Sequence, residues 1–331
     1  MLRLLEAEHA ALWPEIEAKL ADRPNGPQPH ILTKARQELL RERVIDETTS
    51  ATRGGRNVSV WHLRELRGRE RHVLDAAARK RLLYARSQSW NSPRKGYPRG
   101  LLGPAGEEVL HRSLLVASPY GYKLQNPDGG EVRHLLGSPV EGGPLDSAAF
   151  LTTLDLEELP GRPIVLPIEV KNVRHWIYPS SSELFQLLHK AALLQIARPE
   201  LDFVPVLLCR RRSFFLWAMG KELGFFPIEV AAQYVLPRAP IDFDHFNEVR
   251  NELGYTDLSL SEDPSPRLVQ ALTSSLPREA ARYAARWKEC GPPLVEHFKG
   301  LREFMPPRDQ HAFMQDFRDE ASHLPGCRVK W

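Results

Sequence analysis

Residues 165–176 read VLPIEVKNVRHW, and they set two opposite charges into an otherwise apolar run. The part upstream, IVLPI, is continuously apolar, as expected for a strand buried on both faces. Side chains two apart on a strand share a face, so Glu169 and Lys171 point one way while Ile168 and Val170 point the other. Burying an unpaired charge costs several kcal/mol. A strand that accepts both charges, and then Asn172, is expected to border a wet cleft where the two neutralise each other. A same-face ion pair on a half-exposed strand is the plainer alternative.

The pattern around this strand alternates. A helix fits EEVLHRSLLVAS (107–118), and strands fit SAAFLTTLDL (147–156) and RPIVLPIEVKN (162–172). A helix at SELFQLLHKAALLQIA (182–197) and a strand at FVPVLLCRR (203–211) follow. Interleaved strands and helices indicate an α/β core with a mixed central sheet flanked by helices. It is expected over residues 96–240, after a Gly/Pro-rich linker, NSPRKGYPRGLLGPAG (91–106). Residues 241–331 read as a helical C-terminal extension.

Residues 1–95 read as a basic helical region. Helical periodicity runs to about Leu20, DRPNGPQPH (22–30) interrupts it, and ILTKARQELLRERV (31–44) resumes it. VIDETT and VSVWHL then flank a polar segment containing Gly54-Gly55, the pattern of a hairpin. Helix followed by a basic-tipped hairpin resembles the recognition helix and wing of a winged helix-turn-helix domain.

The 331 residues carry 45 Lys/Arg against 42 Asp/Glu, but unevenly: residues 51–100 hold 13 basic and 3 acidic residues. Such asymmetry suggests a polyanion partner. The expected contacts are Arg53 and Arg56 at the hairpin tip and Arg79, Lys80 and Arg81 on the following helix, interleaved with Trp61, Tyr84 and Trp90. The three cysteines lack metal-ligand spacing and cannot all pair, which favours a reducing cytoplasm. The opening, MLRLLEAEHAALWPEIEAKL, is too charged for a signal peptide, and no stretch approaches the roughly 20 apolar residues of a membrane span. Gly-x-Ser-x-Gly, Walker and His-Glu-x-x-His motifs are absent.

Three segments taken together resemble the PD-(D/E)XK nuclease superfamily, which includes restriction endonucleases and Holliday-junction resolvases. They are a helical acid in GLLGPAGEEVLHRSLL (100–115), an acid before a strand in GGPLDSAAF (142–150), and Glu-x-Lys in LPIEVKN (166–172). The resemblance covers roughly residues 100–210. It implies a restriction-endonuclease-like core with Mg²⁺ or Mn²⁺ held by Asp146, Glu169 and the Val170 carbonyl. Lys171 would orient or deprotonate the attacking water, or stabilise transition-state charge; these roles stay open. Gln186 and Lys190, four apart on the helix after the strand, would reach the scissile phosphate or the water. Glu107 is preferred to Glu108 as the helical acid, because Leu110 and Leu114 follow it at core-facing spacing and Gly103 to Glu107 matches the family's Gly-x-x-x-Glu. Glu108 is then a solvated residue.

The sequence departs from the family in reading Pro-Leu-Asp for Pro-Asp, and the long interval to Glu169 leaves Asp155 and Glu157 as alternative acids. Ser180 and Glu183 have capping-box spacing, Asn172 is expected to tie down the strand end, and Trp176 to pack in the core, with lining the cleft beside His175 as its alternative. The expected activity is hydrolysis of DNA phosphodiesters leaving a 5′-phosphate, as an endonuclease in prokaryotic restriction, defence or repair, with RNA still open as substrate. A homodimer or a partner subunit of a defence system fits the same reading. The alternative is a non-catalytic DNA-binding regulator on a degenerate nuclease fold.

Overall fold

The run IVLPIEVK forms a strand, Ile164–Lys171, whose first six residues are buried. The computed structural model describes the chain except residues 53–54, 56, 66–67, 94, 154–159, 238–242, 304–305 and 330, and the side chain of Pro307. The chain forms two compact units, Met1–Leu102 with Val235–Ser259, and Gly103–Tyr234 with Leu260–Trp331. The segment 241–331, read from sequence as one helical extension, therefore divides between them.

In the larger unit, helix α1 (Leu102–Ala117) precedes strands β1 (Tyr122–Leu124), β2 (Ser147–Leu151) and β3 (Ile164–Lys171). Helix α2 (Ser182–Ala197), strand β4 (Val206–Cys209), helix α3 (Phe214–Leu223) and strand β5 (Phe226–Glu229) follow. The sheet order is β5-β4-β3-β2-β1, with the short strand Asp202–Phe203 also paired to β3. Strands β3, β4 and β5 run parallel, which requires the crossovers that α2 and α3 supply. Strands β1 and β2 are antiparallel to their neighbours. The sheet is mixed and flanked by helices, as the sequence pattern implied.

The two faces of β3 meet different helices. A Cβ at Gly106 of α1 would fall 2.8 Å from both Val170 Cγ1 and Asn172 Cβ, so glycine is what lets α1 lie this close to the strand. On the other face, Val165, Ala148 and Leu207 join Leu184, Phe185 and Leu188 of α2 in the core. Helix α2 is buried nearly all round, because a further helical layer covers its outer side. The Phe185 ring stands 6.2 Å from Phe298 and 5.7 Å from Phe317. Truncating one such buried ring costs about 3–5 kcal/mol.

The smaller unit contains the expected hairpin, Ile45–Ala51 against Asn57–Leu63, with Ala11–Leu12 completing a three-stranded sheet. The continuous N-terminal helix expected through Leu20 is instead two helices, Leu2–Glu8 and Trp13–Leu20. His9 takes a positive φ of 61°, ending the first helix, and Pro14 starts the second, where its missing N–H costs nothing.

Candidate active site

Strand register builds the centre. Ser147 faces Ile168 at the end of the β2–β3 ladder, so the next step carries Asp146 towards Glu169. There the ladder gives way to a side chain: the Val170 N–H donates to Asp146 Oδ2 at 2.7 Å. A residue's N–H and C=O leave a strand on the same side, so the Val170 carbonyl also points to this edge. Leu145, the residue before Asp146, exchanges both backbone hydrogen bonds with Val132 and leaves that edge to Asp146.

Glu169 is only 2% exposed. Its Oε2 accepts from Lys171 Nζ at 3.2 Å, and its Oε1 from Lys190 Nζ at 2.5 Å. Lys171 also donates to Gln186 Oε1 at 3.1 Å. Glu169, Lys171, Gln186 and Lys190, singled out separately from β3 and α2, thus form one network. Lys190 extends it by donating to the Pro144 carbonyl at 2.5 Å, which pins the turn leading into Asp146.

Burial would raise both carboxyls, but their neighbours divide them. Burial and the adjacent Glu169 charge push Asp146 up to about 7, with Glu107 adding to the rise and the Val170 N–H and Lys171 opposing it. Burial also works against ionised Glu169, yet Lys171 and Lys190 outweigh it and hold that carboxyl below its ordinary range. Two carboxyls of split acidity at one strand edge are a feature that catalytic centres share with structural ion networks.

Glu107 is half-buried on α1, next to the Gly106 contact, and adds to the negative field at Asp146. Glu108 is not the solvated residue expected from periodicity. It is half-buried, accepts from Arg112 at 2.6 Å and from the Ser261 hydroxyl at 3.3 Å. Asn172 ties the strand end to Tyr234: its Nδ2 donates to the Tyr234 carbonyl at 2.7 Å and its Oδ1 accepts the Tyr234 N–H at 2.9 Å.

The capping box expected from Ser180 and Glu183 does not form. Ser181 is the N-cap, its hydroxyl takes the Tyr178 N–H, and Glu183 turns to His175 at 3.1 Å. That hydrogen bond, against burial, holds Glu183 down to about 2. Trp176 is half-buried rather than a core residue.

Arg302 carries no local sequence signal, because its partners lie 113 and 160 residues away. It donates to the Gly142 carbonyl at 2.9 Å and to His189 Nδ1 at 2.7 Å. Burial, and then Arg302 and Lys299, lower His189, keeping its ring neutral and able to accept. Arg302 and Lys190 therefore both grip the 142–144 turn before Asp146.

The basic contacts expected in the smaller unit fare differently. Arg53 and Arg56 lie outside the described residues, as do Asp155 and Glu157 of the larger unit. Lys80 is corrected: its side chain is 4% exposed and pairs with Glu15 at 2.5 Å and Glu8 at 2.8 Å, which leaves it inside an ion network and away from any phosphate. Arg81 donates to the Val58 and Thr48 carbonyls, fastening its helix to the hairpin. Arg79 is exposed beside Glu252 at 3.0 Å. Trp61 and Trp90 are buried core rings and unavailable for stacking on bases.

Comparison with models of known families, with curated proteins and with solved structures finds no match. The donor chemistry is consistent with a hard divalent cation. Two carboxylates and a carbonyl suit Mg²⁺, which takes few protein ligands and keeps several waters. Asp146, raised by burial beside a second negative charge, is a group that a cation would keep ionised. Among the described residues no cluster of three or more His, Cys, Asp or Glu ligands forms. Cys209 and Cys290 offer no thiolate, since burial pushes both up to about 12. Among the described residues no helix is long and apolar enough to cross a membrane.

Proposed function

We propose that this chain is a divalent-cation-dependent deoxyribonuclease of the PD-(D/E)XK kind, acting as an endonuclease. One observation carries the reading: Asp146 on the Val170 N–H and Glu169 between Lys171 and Lys190 meet at one edge of β3. The element order α1-β1-β2-β3-α2-β4 around a mixed sheet supports it.

Asp146, Glu169 and the Val170 carbonyl would hold the cation. A cation bound there would neutralise charge developing on the phosphorane and lower the pKa of an attacking water. The chain's own part is orientation and charge. The Val170 N–H fixes Asp146, and Lys190 fixes both Glu169 and the turn before Asp146. Lys171, steered by Gln186, supplies positive charge for phosphoryl oxygens on which negative charge grows.

One feature favours a second reading, a non-catalytic DNA-binding regulator on the same fold. Each oxygen of Glu169 already accepts from an ammonium, which is how a purely structural network would look. The separating experiment is incubation of the purified protein with circular and linear DNA in Mg²⁺, Mn²⁺ or EDTA. Cleavage that requires added metal supports the nuclease. DNA binding with no cleavage in either metal supports the regulator.

A further inference from the structure

Residues 210–217 read RRRSFFLW. They leave the sheet at the end that carries the candidate site, since Cys209 is the register partner of Lys171. The Ile177 N–H donates to the Arg211 carbonyl and the Ser213 N–H to the Ile177 carbonyl, fastening this turn to the segment after β3. Ser213 caps α3, its hydroxyl accepting the Leu216 N–H at 3.1 Å. Leu216 then turns into the core, while Phe214 is 58% and Phe215 45% exposed. The Phe214 ring lies 6.1 Å from Phe215 and 5.4 Å from Trp217, making one aromatic cluster.

Cations flank that cluster. Lys221 Nζ stands 3.8 Å from the centre of the Trp217 ring, and Arg212 Cζ 6.0 Å from it. Trp217 also borders a cavity of about 390 Å³, lined among others by Arg212, Arg267, Ser275 and Tyr283. Its acid, Glu229, is paired with Arg211 at 2.9 Å, and nearby Glu279 with Arg282 at 2.5 Å. Glu229 also acts on Arg212 and Glu279 on Lys221, yet Arg211, Arg212, Lys221, Arg267, Arg278 and Arg282 outnumber these two acids, so the surface stays positive beside the exposed rings.

We propose that Phe214, Phe215 and Trp217, with Arg212, Lys221 and Arg267, form a track for single-stranded DNA beside the candidate active site. Aromatic faces next to cations suit unpaired bases and their phosphates together. A duplex hides its base faces in its own stack, and a ring reaches them only by unstacking a step at a cost of a few kcal/mol. The track rests on the nuclease reading for its choice of polyanion and names the substrate as DNA with an unpaired stretch next to the cleaved bond.

The test is fluorescence anisotropy of a labelled oligothymidylate in EDTA, so that no cleavage intervenes. Phe214→Leu with Phe215→Leu keeps apolar area but removes the rings, and affinity is expected to fall tenfold or more. Phe214→Trp with Phe215→Tyr should retain it. Lys221→Ala with Arg267→Ala should flatten the log–log salt dependence by about 1.4, at about 0.7 per phosphate contact on a single strand. The proposal is overturned by absence of oligothymidylate binding, by unchanged affinity in the leucine variant, or by tighter binding of duplex DNA or of RNA of equal length. Loss of self-association in the leucine variant at unchanged affinity would instead make the patch an interface between copies. Failure here leaves metal-dependent cleavage untouched, and failure of cleavage leaves this binding measurement untouched.

Discussion

Replacing Asp146 with asparagine isolates the electrostatic cost of the site. Asparagine keeps an oxygen for the Val170 N–H, which Asp146 accepts at 2.7 Å, and replaces the other carboxylate oxygen with an uncharged NH₂. The folded carboxyl titrates at about 7 against an ordinary value of 3.8. Between those values the native state holds a proton that the unfolded chain has lost. Stability of the metal-free protein therefore declines as pH rises through this window, and the loss is complete above about 7. At about 1.36 kcal/mol per pH unit the full loss is about 4 kcal/mol. The Asn variant escapes it. In EDTA the two proteins should unfold alike near pH 4, and the variant should gain steadily to pH 8, reaching on the order of 10 °C in the melting of the larger unit. Thermal unfolding at half-unit pH steps reads this directly. A melting difference that stays flat from pH 4 to 8 would refute the assigned burial and coupling of Asp146.

Lys190→Met should destabilise the metal-free protein by about 3 kcal/mol, because it strips a donor from buried Glu169 and from the Pro144 carbonyl. Urea unfolding should show Mg²⁺ restoring more stability to that variant than it adds to the unaltered chain. Lys80→Ala should cost the smaller unit about 3 kcal/mol by stranding Glu15 and Glu8. The salt dependence of DNA binding should stay as it was, since Lys80 neutralises no phosphate.

Strand β3, helix α2 and the hairpin were legible because each carries its own periodicity: IVLPI, the stripe of Leu184, Leu187, Leu188 and Ala191, and the paired runs about Gly54-Gly55. The carboxylate and lysine of β3 were legible for the same local reason. Lys190 shows where local reading ends. It lies off the apolar stripe, yet its side chain is 9% exposed, because a second helical layer closes over α2 and Glu169 compensates the charge. Lys80 is buried for the same kind of reason, its acids lying 72 and 65 residues away. Glu108 and Glu183 found partners, Ser261 and His175, that outcompeted solvent and the cap. In each case charge was visible in the sequence, while the partner that decides its use came from tertiary packing.

Under the proposed function Glu169 serves chemistry as well as packing. The most direct test is conversion of supercoiled circular DNA in Mg²⁺ by the unaltered chain beside Glu169→Gln, with equal DNA binding verified in EDTA. Nicked or linear product is expected from the unaltered chain, none in EDTA, and none from the glutamine variant in Mg²⁺. Equal cleavage by the glutamine variant would contradict that role.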